Sequence, residues 1–243
     1  MANHHGSDSA SDLTDGAATL EGFARYALFW APRPGEPLAR AGAAWLGWDP
    51  ATGEAAAARA DDPRIRAPRR YGLHATLKAP FRLAPGAEVA ALDKALQTFA
   101  AARAPAVGPG LMLDDGLGFM ALRPMAASPA IDALAGDCVT VFDHFRAPLT
   151  EEDRRRRGAD RLSPRERALL EAHGYPYILD RFRFHITLTG RLKAGETAEA
   201  ALELNDRFGG FLTPAFRIDA IALFGDPGGG AGFRLLRHYA LTG

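Results

Sequence analysis

The sequence predicts an α+β fold in which one structural unit is used twice. Three observations predict it. Residues 74–77 read His-Ala-Thr-Leu and residues 185–188 read His-Ile-Thr-Leu. Each copy leads into a stretch with helical period. Each helical stretch is followed by two apolar runs joined at a Gly-containing turn, the pattern of an antiparallel hairpin.

In chain order, residues 1–22 are rich in Ser, Asp, Gly and Ala and read as a disordered tail that carries His4 and His5. The folded domain is expected over 23–241. Arg25–Trp30 is apolar after its arginine and stops at Ala31-Pro32, which fits a strand. Leu38–Leu46 is a short helix after Pro37, and residues 50–70 an Ala-rich helical turn followed by loop. The first repeat spans about 71–124. In it Val89, Leu92, Leu96 and Phe99 recur every three or four residues between 87 and 103, so one helix face is apolar. Leu111–Leu113 and Phe119–Leu122 form its hairpin across Asp114-Asp115-Gly116. A short helix over 129–135 and a strand over Val139–Phe142 follow.

Residues 148–175 have no counterpart in the first half and read as a helical insertion on the second lobe. Thr150 caps a helix whose first turn holds Glu151, Glu152 and Asp153. Ser163-Pro164-Arg165-Glu166 is a second helix start, with a cap, a first-turn proline and a reciprocal glutamate. The second repeat spans about 181–241. Its helix covers Glu196 to Phe208, with Ala201, Leu204 and Phe208 on one side. Its strands run roughly over Ala215–Phe224 and Phe233–Ala240, across a glycine-rich turn at 226–230.

Of 243 residues, 47% are apolar, enough for a real core, and 29 Lys plus Arg balance 29 Asp plus Glu. No global field draws in nucleic acid, which disfavours long strands or duplexes. The single cysteine, Cys138, excludes an internal disulfide and a cysteine-rich metal site. No signal peptide or run of 18 apolar residues is present, so a cytoplasmic protein with no membrane contact is expected. No Gly-rich phosphate loop and no dinucleotide fingerprint occurs, and no protein partner is expected.

On a strand, residues two apart share a face, so each motif presents a histidine and a hydroxyl together. His74 and His185 can divide a proton transfer between a base and an acid. Thr76 and Thr187 can donate to phosphoryl oxygens where charge gathers. No metal or cofactor is needed for such chemistry, and neither motif has metal-ligand spacing. A lone histidine in an apolar strand is more often structural; the duplication is what weakens that reading here. Four residues past His74, Lys78 is expected on its face, and Arg183 on that of His185; both are candidate phosphate ligands. Arg25 and Tyr26 are weaker candidates whose register is unknown, and Tyr71 is expected on the opposite face from His74. The four arginines at 154–157 fit a solvated helix face, or else an anion clamp. Tyr175 and Tyr177 fit loop packing better than ligand stacking.

At these motifs the chain resembles the two-histidine phosphoesterase superfamily, which carries two His-x-Thr/Ser-x motifs and includes the RNA 2′,3′-cyclic phosphodiesterases also described as 2′–5′ RNA ligases. Residues 25–28, 71–81, 142–149, 174–177 and 184–190 look more specifically like a bacterial branch associated with phosphonate metabolism. The resemblance implies a two-lobed, pseudo-symmetric fold with antiparallel sheets flanking a central cleft and helices outside. It implies His74 and His185 as the catalytic pair, with Thr76 and Thr187 as their hydroxyls. The expected activity is metal-independent hydrolysis or ring opening of a small cyclic or 2′-linked phosphodiester, with a small phosphorylated substrate from phosphonate or ribosyl phosphate metabolism. The alternatives are an RNA-end binding or 2′–5′ ligase-like protein, a non-catalytic phosphometabolite-binding protein, and a metal-dependent hydrolase.

Overall fold

A computed structural model describes residues 19–193 and 195–243; residues 1–18 of the expected tail lie outside the described residues. Strand β1 (Arg25–Trp30) enters helix α1 (Pro37–Leu46), which starts at Pro37 and ends at Gly47 in the left-handed region. The short strands β2 (Trp48–Asp49) and β3 (Glu54–Ala55) pair, and two 3₁₀ turns lead to a single helical turn, α2 (Arg66–Arg69). Strand β4 (Ala75–Phe81) carries the first motif. Helix α3 (Val89–Ala101) buries Val89, Leu92, Leu96 and Phe99, the face expected from their spacing. Strands β5 (Ala106–Pro109), β6 (Leu111–Asp114) and β7 (Phe119–Pro124) follow.

Helix α4 (Pro129–Val141) is longer than expected and replaces the strand expected over Val139–Phe142. Its buried residues Ile131, Leu134, Ala135, Cys138 and Val139 keep a helical period through the β-branched positions, so packing against β4 outweighs local strand preference. Helices α5 (Glu151–Arg156) and α6 (Pro164–His173) both begin with capping boxes, at Thr150/Asp153 and Ser163/Glu166. Strand β8 (Ile186–Arg191) carries the second motif, helix α7 (Glu196–Phe208) buries Ala200, Leu204 and Phe208, and strands β9 (Ala215–Ile218), β10 (Ala220–Asp226) and β11 (Arg234–Ala240) complete the chain.

The fold is α+β with antiparallel pairing throughout its main sheet. The order β11-β10-β1-β4-β8-β7-β6 places the two motif strands side by side at its centre. The hairpins are exchanged between the repeats. The first-half hairpin, β6–β7, pairs with the second motif strand β8, while the second-half hairpin, β10–β11, reaches the first motif strand through β1. The two sides meet through one residue pair, Ala75–Ile186. A separate ribbon, β5–β9, also joins the two halves.

The main core lies behind this sheet. Tyr26, Leu28 and Trp30 of β1 point into it, with Ala75 and Leu77 of β4 and Ile186 and Leu188 of β8. The other face of β1 sends Ala27 and Phe29 into a smaller cluster with Phe224 and Phe233. That smaller cluster floors the cleft described next. The insertion packs beside the first motif strand. Arg82, just past β4, donates to the Pro148 carbonyl at 3.0 Å and to Asp153 at 2.8 Å, and the Ala147 N–H donates back to the Arg82 carbonyl. No helix among the described residues is long and apolar enough to cross a membrane.

Candidate active site

The Ala75–Ile186 pair sets the geometry of both motifs. Both residues are buried, so in an antiparallel register their neighbours face the other way. Counting outward from that pair places His74 opposite Thr187 and Thr76 opposite His185. The two motifs therefore meet about a local two-fold axis, with a histidine and a hydroxyl from each on one side of the sheet. A cleft of about 360 Å³ opens there. Its walls include His74, Thr76, Thr187, Phe29, Tyr71 and Phe119. His185 is not among the residues that line this cleft, although its charge helps to lower the His74 pKa.

The two imidazoles are held by the same device. Nδ1 of His74 donates to the Gly72 carbonyl at 3.0 Å, and Nδ1 of His185 donates to the Arg183 carbonyl at 2.7 Å. A carbonyl only accepts, so this bond fixes the proton on Nδ1 and leaves Nε2 as the reactive nitrogen of the neutral ring. Burial pushes His74 down to about 4, against the Gly72 hydrogen bond. Burial also lowers His185, with Arg123 adding to the effect. Around them the surroundings differ. His74 lies 4.2 Å from the Phe29 ring and is stacked 5.3 Å from Tyr71, whereas His185 has Phe119 at 5.8 Å.

Tyr71 faces the cleft, contrary to strand alternation. Residues 71–74 are not strand: Gly72 sits at φ +69°, and a Cβ there would come within 2.8 Å of the Pro50 ring. That reversal swings Tyr71 back beside His74, where it also stacks on Phe233 at 4.6 Å.

Several expected phosphate ligands lie elsewhere. Lys78 does not share the His74 face. Leu28 pairs with Lys78 and the next residue, Phe29, pairs with Thr76, so Leu77 is an extra residue in β4. This bulge reverses the alternation and turns Lys78 into the interior. There its Nζ, 3% exposed, donates to Asp143 and to the Val139 carbonyl, both at 3.0 Å. Burial works to raise the Asp143 carboxyl, yet hydrogen bonds from Arg146 and Lys78 outweigh it and hold it at about 2. The cluster has a structural job: Arg146 also donates to the Ala172 carbonyl at the end of α6.

Arg183 is exposed and donates to the Phe182 carbonyl at 2.6 Å. It lines a separate recess with Arg123, Ser128 and Asp132. Tyr26 points into the core and donates to the Leu20 carbonyl at 2.8 Å. Arg25 lies on the Phe29 side of β1 but is held by buried Asp226, with Nε at 2.9 Å; it lines a recess next to the cleft.

The cations that do line the cleft are Arg157 and Arg191, and Tyr175 joins them. In the sequence Arg157 stands out only as part of a run of four arginines. Its signal is positional: it follows the last turn of α5, after a strong cap, where the chain reverses at Gly158. Arg191 is brought opposite Phe119 by an irregularity in β8, which advances four positions, from Thr187 to Arg191, while β7 moves two, between Ala121 and Phe119. Thr189 there accepts the Met120 N–H that the irregular ladder leaves free. Among the described residues, no three His, Cys, Asp or Glu side chains come together as a metal site.

The chain is 39% identical over 193 residues to "Ribose 1,5-bisphosphate phosphokinase PhnN" of Janthinobacterium sp. (strain Marseille), covering 76% of this chain and 43% of that protein. It is 37% identical over 218 residues to the protein of the same name from Laribacter hongkongensis (strain HLHK9), covering 88% and 51%. The chain thus spans about half the length of the curated relatives it matches. Among solved structures it is similar to E. coli LigT complexed with NADP+, with 12% identity, a TM-score of 0.41 and coverage of 92% of this chain and 100% of LigT. Usb1 of Kluyveromyces marxianus aligns with 12% identity, a TM-score of 0.36 and coverage of 88% and 98%. Residues 76–234, well over half of the chain, match the family described as "Protein of unknown function (DUF1045)", and the chain belongs to that family.

Proposed function

We propose that this protein is a two-histidine phosphoesterase that opens or hydrolyses a small cyclic or 2′-linked phosphodiester without a metal. The observation that carries the reading is the matched pair of imidazoles. Each has Nδ1 tied to a carbonyl two residues earlier, each leaves Nε2 free, and each has a threonine of the other motif across the register.

In the proposed reaction, His74 acts as base. Packed between Phe29 and Tyr71, it is held neutral, and its Nε2 takes the proton of a water as that oxygen bonds to phosphorus. The P–O bond to the sugar breaks, and His185, protonated once the anionic ester is bound, gives its proton to the leaving oxygen. The product is a phosphate monoester with a free hydroxyl. Thr76 and Thr187 donate to the non-bridging oxygens, and Arg191 adds positive charge at the same wall.

The relatives' name suggests a ribosyl phosphate as substrate, in keeping with the expected link to phosphonate metabolism. Their phosphokinase activity is not carried over, because this chain contains no Gly-rich loop ending in Gly-Lys-Ser/Thr. The test is turnover of 2′,3′-cyclic nucleotides and ribose cyclic phosphates in EDTA. Activity that survives the chelator and disappears in both His74→Ala and His185→Ala supports the reading. Activity lost in EDTA and restored by zinc or manganese points to a metal-dependent hydrolase. Tight binding of oligonucleotide ends without turnover points to an RNA-end binding protein.

A further inference from the structure

On the first-motif side of the cleft, two carboxylates are each shared by two cations. Asp226 holds Arg25 and Arg70, Asp153 holds Arg82 and Arg156, and Arg146 lines the same recess. Arg157 stands beside them and takes part in none of the ion pairs found among the described residues, Asp153 being held by Arg82 and Arg156. In a chain with zero formal net charge, so large a local excess of positive charge calls for an anion that the protein itself does not supply.

Arg157 sits at the seam. It lines both the histidine cleft and the adjoining recess of Arg25, Arg82, Arg146 and Arg156. Its guanidinium lies 4.6 Å over the Tyr175 ring, and its own N–H donates to the Asp153 carbonyl at 3.0 Å, so both ends of the residue are positioned. Burial and the neighbouring arginines make its charge costly to hold, a cost that a bound anion would offset. The recess beyond it offers only about 20 Å³, room for a single water-sized atom. A phosphate therefore belongs on the cleft side of Arg157. The cleft, at about 360 Å³, has room for one sugar carrying two phosphoryl groups.

We infer that Arg157 is a specificity residue that binds a second, non-reacting phosphate monoester, so that the preferred substrate is a sugar cyclic phosphodiester that also carries a terminal phosphate. The inference rests on the phosphoesterase reading and narrows it.

The experiment compares kcat/KM for a nucleoside 2′,3′-cyclic phosphate with and without a 5′-phosphate. The wild-type protein should favour the 5′-phosphorylated compound by about 10-fold or more, the worth of one charge-assisted contact. That ratio should fall close to one in Arg157→Gln and recover in part in Arg157→Lys. It should persist in Arg155→Gln, which removes a charge from the exposed face of the same helix. Equal turnover of the two compounds by the wild type, or a ratio unchanged in Arg157→Gln, overturns the assignment while leaving the phosphoesterase reading intact. If neither compound is turned over, calorimetry with ribose 5-phosphate decides. Binding weakened about 10-fold or more in Arg157→Gln keeps the subsite and removes the activity; no binding, or equal binding, removes the subsite as well.

Discussion

The two motifs present the same chemical groups in different surroundings. Both histidines are locked by a carbonyl two residues back, and both sit across the register from a threonine. The first lies against Phe29 and Tyr71, with the insertion's Arg157 and Tyr175 lining the same cleft. The second has one aromatic neighbour, Phe119. The shared device prepares two equivalent nitrogens, and the unequal packing then gives them different proton affinities. In the reaction proposed for it, this pseudo-symmetric frame carries an asymmetric task, with the base on the dry side and the acid on the side with fewer aromatic neighbours.

The strongest way to break that comparison is to remove each ring. His74→Ala and His185→Ala should each lower kcat by about 10³-fold, and the double variant should be little worse, since base and acid act as a unit. Full activity in either single variant removes that histidine from the reaction. Next come the hydroxyls. Thr76→Val and Thr187→Val should each cost about 10²-fold in kcat with a smaller effect on KM, as expected of donors to developing charge. A loss confined to KM would make them ground-state contacts only.

The pH dependence sharpens the contrast between the two sides. His74 is held down to about 4, so the acid limb of kcat/KM should lie well below the ordinary histidine range of about 6.5. Opening its packing with Tyr71→Ala should move that limb upward by about one pH unit, and Phe119→Ala should leave it in place. The same depression has a stability sign. Between pH 6.5 and 4 the unfolded chain binds a proton at residue 74 that the native chain does not, so stability falls on acidification through that window. Urea unfolding at pH 7.5 and 4.5 should show a smaller acid loss in His74→Gln than in the wild type.

The smallest effects on turnover belong to the residues the structure moves out of the cleft. Lys78→Met should cost about 3 kcal/mol in stability, because Asp143 loses a buried partner, while kcat in the folded fraction changes less than about 3-fold. Arg183→Gln should change neither measurably. A large loss of kcat in either folded variant would return that cation to the site.

Much of this was legible locally. The capping boxes at Thr150 and Ser163, the apolar face of α3 and the paired motifs all depend on residues within a few positions of one another. The strand expected at Val139–Phe142 failed because its β-branched residues also complete the helical period begun at Ile131, and contact with β4 settled the choice. Lys78 failed for a different reason. One extra residue in β4, opposite β1, inverts the face of Lys78, and nothing in the local sequence marks it.

The sequence by itself determined that two His-x-Thr units exist, which elements flank them and where the helices start, because caps, turns and periodicity act between near neighbours. Only the tertiary structure decided that the hairpins exchange sides, that Ala75 and Ile186 form the joint between the motifs, and that Arg157 instead of Lys78 reaches the cleft. Those outcomes depend on which strand edges pair and which faces bury, and such pairings are chosen by contacts between residues far apart in the chain, 201 positions in the case of Arg25 and Asp226.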